Sequence, residues 1–152
     1  VNVIFSAYDR GVAMISGKLA ESLILLFVRV AFAGIFWRSG RTKVEEGSWL
    51  SISDTTYFLF QEEYAGLPLP ADLSVPLATY AEHFFPILLV LGLFTRFSAA
   101  ALLVMTLVIQ FFVYPEAWWG VHAIWAALAL VLIARGGGAL SLDAALLKAR
   151  GK

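Results

Sequence analysis

Residues 23–37, LILLFVRVAFAGIFW, carry a single ionisable side chain, Arg29. Extended back to Leu19, the segment meets the requirement of a helix crossing a bilayer, whose hydrocarbon core takes about 20 apolar residues. Three further segments of the same kind follow at 73–94, 97–114 and 118–134. Gly92, Thr95 and Arg96 mark a tight turn between the second and third spans, and Pro115-Glu116 marks another between the third and fourth. Links this short force antiparallel neighbours. The fold class expected is therefore all-α: an integral membrane up-down bundle of four transmembrane helices, forming one domain over residues 1–152.

The composition agrees. Hydrophobic residues make up 61% of the chain and charged residues 14%, with a mean hydropathy of +0.82. Soluble domains hold about 45–50% apolar and about 25% charged residues, so this chain has too little polar surface to wet its exterior. It has no cysteine, which removes disulfides, thiolate metal sites and CxxC redox chemistry together. Eleven basic residues balance eleven acidic ones, leaving no electrostatic footprint for a nucleic-acid partner.

The flanking segments are amphipathic. Phe5, Tyr8, Val12, Ile15 and Leu19 recur at helical spacing, with Asp9, Arg10 and Lys18 off that stripe, as in a helix lying at a membrane surface. Gly136-Gly137-Gly138 ends the fourth span, after which Ser141 offers an N-cap and Asp143 suits the first turn of a short closing helix. The one sizeable extramembrane element is the link 38–72. There Ser53 or Asp54 can cap a helix carrying Tyr57, Phe58, Leu59 and Phe60, ended by Pro68 and Pro70. Ala31-Phe32-Ala33 resembles a signal-peptide cleavage site, but Arg29 interrupts the apolar run and residues 1–19 are too long for a basic leader.

Orientation follows Lys and Arg. With both termini inside, the inner side holds Arg10, Lys18, Arg96, Arg135, Lys148, Arg150 and Lys152 against Arg38, Arg41 and Lys43 outside, seven to three. The first span alone points the other way, two to three. The expected location is the cell inner membrane, multi-pass, both termini cytoplasmic. Trp37, Tyr114, Trp118 and Trp119 would form the outer aromatic belt.

Ionisable groups at membrane depth cost a few kcal/mol each and mark a site or a structural pair. Here they are Arg29, Glu82, His83 and His122, joined by the neutral Gln110. By the ~1.5 Å helical rise, Arg29 and Glu82 both lie ~12–13 Å below the outer span ends, and Gln110 and His122 both lie ~6 Å below. Matched depths predict an Arg29–Glu82 pair and a Gln110–His122 pair. Thr79, Glu82, His83 and Pro86 share one helix face, and Pro86 frees the carbonyl of Glu82. Thr106, Gln110 and Tyr114 form a polar stripe on the third span, and Ala126 and Ala129 give the fourth a small-residue face.

Two readings of these five residues compete: structural glue between helices, or a small-ligand site in the outer half of the bundle. A haem between His83 and His122 is disfavoured, since their depths differ by more than one turn. A dedicated metal site lacks ligands. No catalytic triad, phosphate loop or acid/base carboxylate pair is present.

The same residues resemble the DoxX family of small membrane proteins. LLFVRVAFAGIFWRSGRTKV is similar to the family's opening helix and S-G-x-x-K turn, here Ser39, Gly40 and Lys43. AEHFFPILLVLGLFTRFSAAALL is similar to its acidic helix, with Glu82 in the acidic position, followed by the G-L-x-T-R turn at Gly92–Arg96. RGGGALSLDAALL resembles its G-x-G-x-x-S-x-D close, at Gly136, Gly138, Ser141 and Asp143. The resemblance implies a four-helix inner-membrane protein, an accessory subunit of a redox or stress-response system, with a quinone-like ligand as the candidate cofactor. It further implies a non-catalytic subunit or a quinone-linked oxidoreductase subunit, with another membrane or periplasmic protein, or a second copy, as partner. A small transporter or channel using Arg29 and Glu82, and a purely structural scaffold, are the alternatives from other classes.

Overall fold

The computed structural model of the protein describes residues 2–151. Lys152, counted in the basic tally, lies outside them. Among the described residues seven α-helices run in the order α1 (Asn2–Ile15), α2 (Lys18–Arg41), α3 (Asp54–Glu62), α4 (Ala71–Leu91), α5 (Thr95–Phe112), α6 (Ala123–Arg135) and α7 (Leu142–Arg150). A 3-10 turn, Pro115–Ala117, and a π-helical turn, Trp118–His122, lead into α6. Four helical stretches are long and apolar enough to cross a membrane: α2, α4, α5 and Pro115–Arg135.

These four form a ring in which α2 packs on α4 and α6, and α5 on α4 and α6. Leu25, Phe32, Ala33, Phe36, Leu89, Ala99, Leu102, Ala129 and Leu132 fill its centre. Phe36 sets its ring edge-on to Phe32 and to Trp125, at 5.3 and 5.5 Å between centroids. The outside is as apolar as the inside: Phe27, Phe84, Phe97 and Phe111 are all exposed. In lipid such faces gain nothing by association, so the alanines that let the helices approach, Ala99, Ala126 and Ala129, matter more than hydrophobicity.

The helix ends account for the sharp turns. Gly92 takes φ 68° and closes α4 with a Schellman pair, Gly92 N–H to Leu89 O and Leu93 N–H to Leu88 O. Phe94 also adopts the left-handed region, φ 49°, and α5 starts at once. Its first amides are capped from a distance: the Asp143 carboxylate accepts from Phe94 N–H at 2.8 Å and Thr95 N–H at 2.9 Å. Arg96 in turn donates to the Ile133 and Ala134 carbonyls at the end of α6. Ser141 caps α7 by accepting from Ala144 N–H. Two of the recognised motifs, the turn at 92–96 and the close at 136–143, thus form one clamp at the end of the bundle that carries both termini.

Several boundaries differ from the expected ones. α2 continues a full turn past Trp37 to Arg41, because nothing from Arg38 to Gly40 breaks it and Arg38 and Arg41 suit a C-terminal turn. α3 stops at Glu62, before Pro68, and its cap is Ser53, not Asp54. Pro70 instead precedes α4. The fourth span starts irregularly, through a 3-10 turn that Pro115 opens and the π turn that follows it.

Candidate ligand cavity

The predicted Arg29–Glu82 pair does not form. α2 and α4 are antiparallel but staggered, so equal distances from their ends are not equal depths. A Cβ on Gly40 would lie 2.8 Å from His83 Cε1 and 3.1 Å from Glu82 Cβ, whereas a Cβ on Gly92 would collide with Arg29 Nη1. Glu82 therefore stands level with the last turn of α2, and Arg29 about eleven residues away, ~16 Å by helical rise. Arg29 is fully buried, reaches toward the clamp at the termini end, and donates from Nη2 to the Leu140 carbonyl at 2.5 Å. It joins α2 to the closing segment and is not part of the cluster around Glu82.

The partner of Glu82 is Lys43, at 2.6 Å between Nζ and Oε2. Ser39 Oγ donates to Glu82 Oε1 at 3.2 Å, and Lys43 Nζ also reaches Ser39 Oγ at 3.0 Å. Local structure places the lysine. Just past α2 the chain makes a small turn closed by the Val44–Ile52 bridge, and the Lys43 carbonyl accepts from Ser53 N–H at 3.1 Å and Thr56 Oγ1 at 2.9 Å. With its backbone held by the cap of α3, the side chain turns back onto α4. The two charged side chains are 12% and 4% exposed, so each neutralises a charge that would otherwise be costly at this depth.

The predicted Gln110–His122 pair does form. Gln110 Nε2 donates to the Pro115 carbonyl at 2.6 Å, which directs Oε1 to His122 Nδ1 at 2.7 Å. Nδ1 must then carry the hydrogen, and in the neutral ring Nε2 keeps a lone pair. The π turn sets His122 in this position, an irregularity often found at functional sites. His83 behaves differently. Its Nδ1 donates to the Thr79 carbonyl at 2.7 Å, and its ring packs edge-on against Trp37 on α2. The two histidines thus take different partners, Thr79 and Gln110. Among the described residues no group of three or more His, Asp or Glu side chains converges as a metal site requires.

Glu82, Lys43, Ser39 and His122 line a cavity of about 560 Å³ between α4, α5, α6 and the segment after α3, within the size range of small-molecule sites. Its other walls are apolar side chains such as Phe60, Phe85, Met105 and Trp125. Two tyrosines add hydroxyls: Tyr64 and Tyr114 are 3.3 Å apart, rings edge-to-face. Burial, reinforced by the Tyr114 hydroxyl, pushes the Tyr64 phenol well above its ordinary pKa, so it stays protonated and able to donate. Of the five candidates from the sequence, Glu82 and His122 line the cavity, Gln110 supports His122, His83 stands behind Glu82, and Arg29 lies elsewhere. The sequence reading missed Lys43, Ser39, Tyr64 and Tyr114 as site residues. The S-G-x-x-K spacing, which sets Ser39 and Lys43 four apart at a helix end, was the available signal.

Fold and cavity together define a multi-pass membrane protein: a four-helix bundle with an ion-paired polar cluster opening into an apolar chamber. The sequence model of the DoxX family matches residues 24–115, which include both halves of that cluster, and the chain belongs to the DoxX family. It is 31% identical over 141 residues to an uncharacterized protein of Haemophilus influenzae, an alignment covering 82% of this chain and 84% of the relative. No solved structure gives a significant match.

Proposed function

We propose that the protein is an accessory subunit of an inner-membrane redox or stress-response system, and that its cavity binds a small apolar molecule with a polar ring of the quinone class. The observation that carries this reading is the meeting of the Ser39–Lys43–Glu82 cluster, the His122 ring and two tyrosine hydroxyls in one otherwise apolar chamber. A quinone needs a donor for each carbonyl oxygen, and Lys43 and the protonated Tyr64 are donors. Its reduced form needs acceptors, which Glu82 and the free Nε2 of His122 supply. Family membership supports a membrane subunit without naming a substrate. Both termini are placed in the cytoplasm because the basic residues other than Arg29 divide by bundle end. Arg38, Arg41 and Lys43 lie in and just past the last turn of α2, and Arg10, Lys18, Arg96, Arg135, Lys148 and Arg150 belong to the termini end. The partner is a membrane or periplasmic protein, or a second copy of the chain.

The test is the quinone content of protein purified in mild detergent, compared with the surrounding membrane. Enrichment is expected, and Lys43→Gln and His122→Ala should each reduce it. No enrichment, together with no thermal stabilisation by added quinone, would leave the cluster as a structural ion pair and sink the reading.

A further inference from the structure

The cavity is closed at both ends and open on one flank. At the loop end, the segment between α3 and α4 lies across it. Tyr64 bonds to Tyr114, and Gly66 approaches so closely that an added Cβ would sit 2.9 Å from the Phe112 carbonyl. Toward the α4–α5 turn, Phe85 packs edge-on against Phe97, 5.9 Å between centroids. Between these stops, the walls given by α4 and α5 are small and only half-buried: Ala78, Ala81 and Ala101. Leu77 and Val104 line the same cavity yet are 58% and 61% exposed. The polar side of α5 is turned to other partners, with Thr106 bonded to the Leu102 carbonyl and Gln110 to Pro115. The flank therefore offers a ligand hydrocarbon contact alone, and it faces the zone where the bilayer would lie.

We infer that the cavity is filled sideways from the bilayer, between α4 and α5, by an amphiphile with a polar ring and a long hydrocarbon tail. This rests on the quinone-class reading of the polar end and adds the tail and the route. The ring lies at Lys43 and Glu82, and the tail leaves past Ala81 and Ala101 into lipid. A water-soluble ligand would have to pass the Tyr64 strap and would leave the apolar flank without a complementary group. A molecule already dissolved in the membrane meets the open side directly, and its tail covers the half-buried alanines.

The experiment uses the full chain in lipid nanodiscs and two probes: a benzoquinone with a long isoprenoid tail, and the same ring without a tail. Binding is read as thermal stabilisation over a titration. The tailed quinone should bind more tightly than the bare ring. Ala101→Trp should weaken the tailed probe by ~10-fold or more and the bare ring by much less, because the added bulk fills the path of the tail and not the polar end. Ala101→Leu, which adds less volume, should show a graded version of the same selectivity should the tryptophan variant fail to fold. Equal binding of the two probes, unaffected by either substitution, would overturn sideways access while leaving the ring site intact. Binding of neither probe would overturn the ring site, and this inference with it.

Discussion

Lys43 and Glu82 hold opposite charges 2.6 Å apart behind a wall that includes Phe60 and Phe85. Removing one partner leaves the other charge buried and unpaired, a loss of roughly 3–5 kcal/mol in buried pairs, whereas replacing both by apolar residues is often near neutral. Lys43→Met and Glu82→Leu should therefore each destabilise strongly, and the double variant should lose much less than their sum. The measurement is a double-mutant cycle on unfolding in detergent. The cycle between Arg29→Leu and Glu82→Leu should be additive, because the Arg29 guanidinium bonds to Leu140 at the opposite end. Coupling there, or additivity between positions 43 and 82, would contradict the geometry.

At the scale of elements, Asp143 acts outside its own helix. Its two oxygens accept from the first amides of α5, forty-nine and forty-eight residues away, and its amide donates to the Gly92 carbonyl at 2.9 Å. Asp143→Ala should cost about 1–2 kcal/mol, the loss of an N-cap, and Asp143→Asn should recover only part of it, since its amide oxygen replaces one acceptor while its NH2 faces the other N–H. No loss in Asp143→Asn would mean that a single acceptor suffices for the cap. Elements of this kind divide what is legible in the sequence from what is not. Local chemistry was readable: Gly92 ended α4, Ser141 capped α7, and four apolar runs became four spans. The stagger of α2 against α4 was not, because depth was counted from span ends: even from the observed ends Arg29 and Glu82 lie twelve and eleven residues in, yet Glu82 stands level with Gly40 at the last turn of α2. That offset hid the correct partner of Glu82. The π turn at Trp118–His122 was also hidden, since no residue type demands one. The Gln110–His122 pair survived both errors because Pro115 joins its two helices by so short a link that their registers are fixed.

For the whole molecule, the direction in which the bundle crosses the bilayer is the remaining geometric expectation. The fold gathers α1, α7 and the 92–96 turn at one end, and the Val44–Ile52 turn and α3 at the other. The described basic residues follow this division: Arg10, Lys18, Arg96, Arg135, Lys148 and Arg150 at the first end, Arg38, Arg41 and Lys43 at the second. Not all of them vote freely. Lys43 is neutralised by Glu82 and Arg135 by Glu21, but the rule counts Lys and Arg in short loops, not net charge. The orientation proposed on that rule, termini in the cytoplasm, follows the larger group. Single cysteines at Glu46 and Ala149, both exposed, report the two ends without disturbing either cluster, and the natural chain has no cysteine to confuse the signal. A membrane-impermeant thiol reagent on intact cells should label Glu46→Cys, and should label Ala149→Cys only after the membrane is permeabilised. The reverse pattern would turn the molecule over and place the Lys43–Glu82 end of the cavity near the cytoplasmic face. A sideways route for a lipid-borne ligand would survive that result, because it depends on the flank between α4 and α5 and not on which end faces out.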